Sequence, residues 1–269
     1  MGPINFGDAY PMTMMKHTLL LAALFCWATG GRTQSLQDLM NAAGQNSRVT
    51  IEEDKTPYKP LGFTGSYRWE VNTFNNGKPD KDNPTVMRMA FDDSHMAMLP
   101  ETRNGREEVR LVFDLKNKHT YTLTTDEKGK RTGIKMKTMR INLNDAGTST
   151  ERDDTKVVRT NETRTIEGHV CRKYTYSDEE GHGEAWIAED VQFNAFEAMG
   201  HMVGGAQGDG WQKAPYQGMV MESIWNNKSG KKRVEVRTKD LVIGKVDPSL
   251  FSTAGYDVQD LSGLPLFGQ

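Results

Sequence analysis

Apolar residues recur at every second position over much of this chain. Phe63, Tyr67, Trp69 and Val71 alternate with Thr64, Ser66, Arg68, Glu70 and Asn72, the period of a strand that buries one face. Further on, Ile166, Val170, Tyr174 and Tyr176 fall on one side, and Glu167, His169, Cys171, Lys173 and Thr175 on the other. An acidic, glycine-containing turn over 177–182 and a second apolar stretch, Gly183–Ala188, complete the pattern of a β-hairpin. Short strands are predicted at Val49–Ile51, Thr85–Phe91, Met96–Leu99, Glu107–Phe113, Thr120–Thr124, Val157–Val158, Met219–Trp225 and Lys232–Val242. Such spacing argues for an antiparallel sheet. Between Ile134 and Leu143 the apolar phase slips by one residue near Lys137 and Thr138, which predicts a β-bulge that bends the sheet.

Two stretches break the strand rhythm. Ser35–Asp38 carries an N-cap pattern before Leu36, Leu39 and Met40, which predicts a short amphipathic helix ending near Gly44. Val191, Phe193 or Asn194, Phe196, Met199 and Met202 can share a helical stripe, which predicts a second helix over Asp190–Met202. Gly204, Gly205, Gly208 and Gly210 follow it, so the helix is expected to act as a lid on a hinge. Asp247–Phe251 predicts a terminal turn or helical start with Pro248 in its first turn. The expected fold is therefore α+β, a strongly curved, unclosed antiparallel sheet with an N-terminal helix and a covering helix.

The amino terminus adds a compartment to this picture. Met15-Lys16-His17 is a short basic start, Thr18–Ala28 is an apolar run, and Ala28-Thr29-Gly30 offers small residues at the minus-three and minus-one positions. This is the pattern of a secretory signal peptide, and the run is too short to span a bilayer in a mature chain. Cleavage is expected between Gly30 and Ser35, with Met15 as the initiator, residues 1–34 as extension and signal, and 35–269 as one domain. The mature chain is thus expected to be periplasmic, with no transmembrane segment, and monomeric. Anchoring as an outer-membrane lipoprotein through Cys26 competes with this, but Phe25 is larger than the residue lipobox processing prefers. Once the signal is removed, Cys171 is the remaining cysteine of two, so no internal disulfide is expected.

Charge removes one class of partner. The 34 Lys+Arg residues against 36 Asp+Glu leave a formal net charge of -2, which gives no broad electrostatic reason to bind nucleic acid. Candidate chemistry is sparse. His169 and Cys171 share a strand face and could serve a nucleophile or two metal ligands. His201 between Met199 and Met202 has donors that suit copper. Against these, a lone thiol is usually a small core residue, and the Met199 and Met202 spacing equally makes an apolar stripe. Glu179-Glu180 and Asp153-Asp154 sit in polar loops, and no nucleophile elbow, phosphate loop, His-Glu-x-x-His or paired Cys-x-x-Cys occurs. No catalytic residue, metal site or cofactor is expected. The 15 methionines say more, because flexible thioethers line cavities that must fit varied apolar shapes and also fill gaps in ordinary cores.

Ile166-Glu-Gly-His-Val-Cys171-Arg-Lys-Tyr174 with Ala185-Trp186-Ile187-Ala188 resembles the Gly-x-x-Cys-x-Lys-Tyr hairpin of exported bacterial proteins grouped as the domain of unknown function 4412 family. Asp247-Pro-Ser-Leu-Phe251 with Gly255-Tyr256 resembles their closing motif. The family is similar in architecture to the LolA and LolB lipoprotein carriers, which implies an unclosed half-barrel covered by helices over a hydrophobic cavity. The resemblance brings no activity and no catalytic residues. The expected function is binding of an apolar small molecule, a lipid or an acylated protein, with Tyr67, Trp69, Met87, Met89, Phe196, Met199 and Met202 lining the site. One alternative is an interaction module of the cell envelope with a filled core, and a second is a metal protein or hydrolase using His169, Cys171 or His201.

Overall fold

A computed structural model describes residues 49–81, 83–101, 108–143, 156–178, 181–193, 198 and 216–263. The chain divides into two units between Asn46 and Ser47, and every described residue belongs to the second. Its strands are β1 (Val49–Glu53), β2 (Gly65–Asn75), β3 (Lys78–Pro79), β4 (Thr85–Phe91), β5 (His95–Pro100), β6 (Glu108–Asp114), β7 (His119–Thr125), β8 (Arg131–Lys137), β9 (Met139–Leu143), β10 (Lys156–Ile166), β11 (His169–Ser177), β12 (Gly181–Ala188), β13 (Met219–Asn227), β14 (Lys232–Ile243) and β15 (Asp257–Asp260). One 3-10 turn, η1 (Pro248–Phe251), lies between β14 and β15.

Thirteen strands form one sheet in the order β10-β11-β12-β13-β14-β2-β4-β5-β6-β7-β8-β15, with β3 paired to β2, and β1 and β9 pair separately. The end strands β10 and β15 do not pair with each other, so the sheet does not close. Neighbours are antiparallel except β15, which runs parallel to β8. A parallel partner needs a crossover, and here the crossover also builds a core. Between β14 and β15 the chain lays Val246, Leu250, Phe251 and Tyr256 against Ala90, Ala97, Val112 and Leu123 on one face of the sheet. Arg110 donates to the carbonyls of Ser249 and Ser252 at 2.7 and 3.1 Å and pins the strap. Asp247 caps η1 by accepting from the Ser249 amide, with Pro248 in the first turn as expected.

The α+β class is overturned, because every element whose bounds are described is a strand except η1, and helix is recorded among the described residues at Ala198 alone. The N-terminal helix expected over 35–44 lies outside the described residues. Of the covering helix, Val191–Phe193 is a bend followed by irregular chain, and the Phe193 amide donates to the Val191 carbonyl at 2.7 Å. A two-residue reach cannot open an α-helix. The phase slip near Lys137 is real but is a change of sheet: β8 ends, Thr138 is buried, and β9 departs to pair with β1. The hairpin around Cys171 also gains a turn. Glu167 and Gly168 have φ of 49° and 82°, the left-handed pair of a two-residue loop, so Ile166 ends β10 instead of starting β11.

Candidate functional site

Side chains alternate across a strand, so register decides which residues share a face. Tyr67 pairs with Met89 and Trp69 with Met87, Met89 with Met98 and Phe91 with Met96, and Met96 with Phe113 and Met98 with Leu111. These residues therefore stand on one face of β2, β4, β5 and β6. All are buried, Met89, Phe91 and Met96 fully, and each such side chain contributes roughly 2 kcal/mol by leaving water. Four of the sequence-predicted site residues, Tyr67, Trp69, Met87 and Met89, are thus brought together. Phe196, Met199 and Met202 lie outside the described residues.

Aromatic rings close one end of this face. Gly65 makes room for the Phe63 ring, whose edge atom lies 2.8 Å from where a β-carbon on residue 65 would stand. Phe63 then stacks on Phe193 with centroids 4.0 Å apart, and Phe193 meets Phe91 edge-on at 4.8 Å. Tyr67 stacks on Phe91 at 5.6 Å. Sequence reasoning left Phe63, Phe91, Phe193, Met96, Met98, Leu111 and Phe113 out of the site. The parity of Phe91 with Met87 and Met89 was the available signal.

One polar atom is out of place here. The Tyr67 hydroxyl is buried and finds no hydrogen-bond partner among the described residues. Burial alone pushes its phenol far above the ordinary range, so it stays a neutral hydroxyl. The Thr122 hydroxyl, on the same face of β7, is likewise buried and unpartnered among the described residues.

The chain reaches the face from an anchored start. Glu189 accepts from Arg159 Nε at 2.7 Å, from its terminal nitrogen at 2.8 Å, and from the Tyr174 hydroxyl at 2.7 Å. These bonds, the Arg159 pair first, hold the Glu189 carboxyl down at about 2. His169 Nδ1 lies 2.8 Å from Asp190. Val191 and Phe193 are buried just beyond.

The opposite face of β10–β14 is charged. Lys173 meets Glu184 at 2.9 Å and Lys239 meets Glu70 at 3.0 Å, while Arg164 pairs with Glu222 and lies over the Trp186 ring at 4.4 Å. A polar trough of about 620 Å³ runs here past Lys156, Thr175, His182, Glu184, Asn226 and Arg233. It lies away from Tyr67, and its mixed charges are already partly paired. Another cleft, of about 330 Å³, is lined by Thr122, Thr124, Thr132, Gly133, Ile134, Asp257 and Gln259.

Cys171 is packed into the sheet as a structural thiol. Cys171 is a free, fully buried thiol whose sulfur donates to its neighbour's backbone, the His169 carbonyl, at 3.5 Å, and burial pushes it up to about 11. A nucleophile needs the thiolate. Among the described residues no three His, Cys, Asp or Glu side chains gather as a metal set. His201 lies outside them. No helix among the described residues is long and apolar enough to cross a membrane.

The family model for a domain of unknown function, DUF4412, matches residues 66–252, a span from the start of β2 through η1. The chain belongs to this family. The DUF4412 span includes the apolar face, the Cys171 hairpin and most of the strap. No curated protein matches the sequence. Among solved structures, PNGF-II is similar with a TM-score of 0.34 and 14% identity over 74% of this chain and 32% of that one. This chain thus spans about a third of the length of PNGF-II. A DUF1329 family protein from Desulfovibrio piger has a TM-score of 0.21 and 9% identity over 80% and 95% of the two chains. A domain classed as an outer membrane lipoprotein-sorting protein from Vibrio parahaemolyticus has 0.18 and 10% over 70% and 89%.

Proposed function

We infer that this DUF4412 protein is exported to the cell envelope and binds an apolar, lipid-like ligand against the methionine and aromatic face of its sheet, without enzymatic chemistry. The Tyr67 hydroxyl carries this reading. It sits among Trp69, Met89 and Phe91 with no partner among the described residues, and an unsatisfied buried hydroxyl costs about 1–3 kcal/mol. Phenylalanine would avoid that cost, so a group from outside the chain is the natural partner. Met87, Met89, Met96 and Met98 give the surrounding surface the adaptability that varied apolar ligands require. Phe196, Met199 and Met202 follow Phe193 in sequence and belong to the proposed site. Export rests on the apolar run Thr18–Ala28 and the small residues before Gly31.

A second reading, an envelope interaction module with a side-chain-filled core, draws on the face-to-face stack of Phe193 on Phe63. An environment-sensitive hydrophobic dye separates the two. The ligand-binding reading expects one dye per chain, displaced by lipid, with Met199→Asp weakening it more than Lys173→Ala, a change on the charged opposite face. A folded chain that binds no dye and retains no lipid in native mass spectrometry favours the filled module.

A further inference from the structure

The register aligns one row of side chains across the apolar face. Tyr67, Met89, Met98, Leu111 and Thr122 stand opposite one another in turn, with no register shift between these strands. Ile134 continues the row on β8. Tyr67 and Thr122 are separated by four inter-strand steps, a span of about 19 Å. The three residues between them are apolar and buried, while both ends carry a buried hydroxyl with no partner among the described residues. The Thr122 end meets the 330 Å³ cleft, where Thr132 and Gln259 also face the space and Ile134 is 38% exposed.

We propose that this row selects an acyl chain bearing oxygen at both ends, its head group in the Thr122 cleft and a distal hydroxyl or carbonyl hydrogen-bonded to Tyr67. The proposal rests on the ligand-binding reading above and names its ligand class. An extended chain advances about 1.2 Å per bond, as three backbone bonds cover about 3.5 Å, so about sixteen bonds cover the row. The cleft stops at Thr122, and Leu111, Met98 and Met89 are closed to water, so the chain takes the place of contacts the protein now makes along the row. Tyr67 is then a specificity-determining residue. A plain acyl chain leaves its hydroxyl unpaired, and a chain ending in oxygen satisfies it.

The test compares hexadecanoate with ω-hydroxyhexadecanoate on the full chain, by isothermal titration, in the wild type, Tyr67→Phe and Thr122→Val. The wild type should prefer the hydroxylated chain by about tenfold. Tyr67→Phe should abolish the preference while binding hexadecanoate at least as well, and should melt no lower than wild type because it removes an unsatisfied hydroxyl. Thr122→Val should weaken both ligands alike. If both chains bind the wild type equally, or Tyr67→Phe keeps the preference, the inference is overturned and the ligand-binding reading stands. If neither chain nor any hydrophobic dye binds, that reading itself fails.

Discussion

Phe193 lies face to face with Phe63, ring centroids 4.0 Å apart and planes 16° from parallel. The two residues are far apart in sequence, and Gly65 makes their meeting possible by leaving room for the Phe63 ring over β2. Truncating either ring opens a cavity beside Phe91. Phe193→Ala is expected to cost about 3 kcal/mol, measured by urea denaturation. Gly65→Ala should also destabilise, because its new methyl group collides with the ring and with the Val242 carbonyl.

The anchor at Glu189 predicts a pH dependence. Its carboxyl is held at about 2 in the folded chain against about 4.3 in an unfolded one. A depressed acid contributes stability above the unfolded value, and that contribution is lost as pH falls from about 4 towards 2. Arg159→Gln should flatten this acid limb in denaturation midpoints measured from pH 5 to 2.5. The effect is small because Glu189 is 34% exposed and solvent screens the pair.

Cys171 should behave as a core residue. In a Cys26→Ser background, the thiol is expected to resist maleimide at pH 8 until the chain unfolds, since burial holds it up at about 11. Raising pH from about 8.5, the unfolded value, towards 11 should lower stability, because the unfolded chain loses its proton first. Cys171→Ala should cost about 1 kcal/mol, and Cys171→Ser more, as it buries a hydroxyl.

Strand positions were legible in the sequence because alternation and sheet geometry share one period. Thr85–Phe91 appears as drawn from its pattern, and Val170, Tyr174 and Tyr176 share a face as their spacing indicates. Register was not legible: nothing local says that Met89 stands opposite both Tyr67 and Met98, which is what assembles the site. The slip at Lys137 was visible, but a bulge and a change of sheet leave the same one-residue mark. The helical reading of Val191 and Phe193 failed because spacing alone cannot weigh a tertiary contact. The stack on Phe63 sets the position of Phe193. The parallel strand β15 went unseen because Asp257–Asp260 carries little apolar signal.

The strap over the other face supplies a prediction independent of any ligand. Arg110 is buried and donates to two carbonyls around η1, with its guanidinium 5.4 Å from the Tyr256 ring centroid. Arg110→Met should cost about 2–3 kcal/mol, since bonds from a charged donor are the stronger kind. Hydrogen exchange should accelerate selectively over residues 248–260.

The central claim is that the face bearing Tyr67, Met87, Met89 and Met98 binds an apolar chain. Methionine-methyl NMR of the full protein during titration with hexadecanoate tests it most directly, with each methyl assigned by a Met→Leu variant, a swap cores tolerate. The methyls of Met89 and Met98 should shift together and saturate at one ligand per chain. Methyl resonances that stay fixed through an excess of ligand, in a folded chain, would contradict the account.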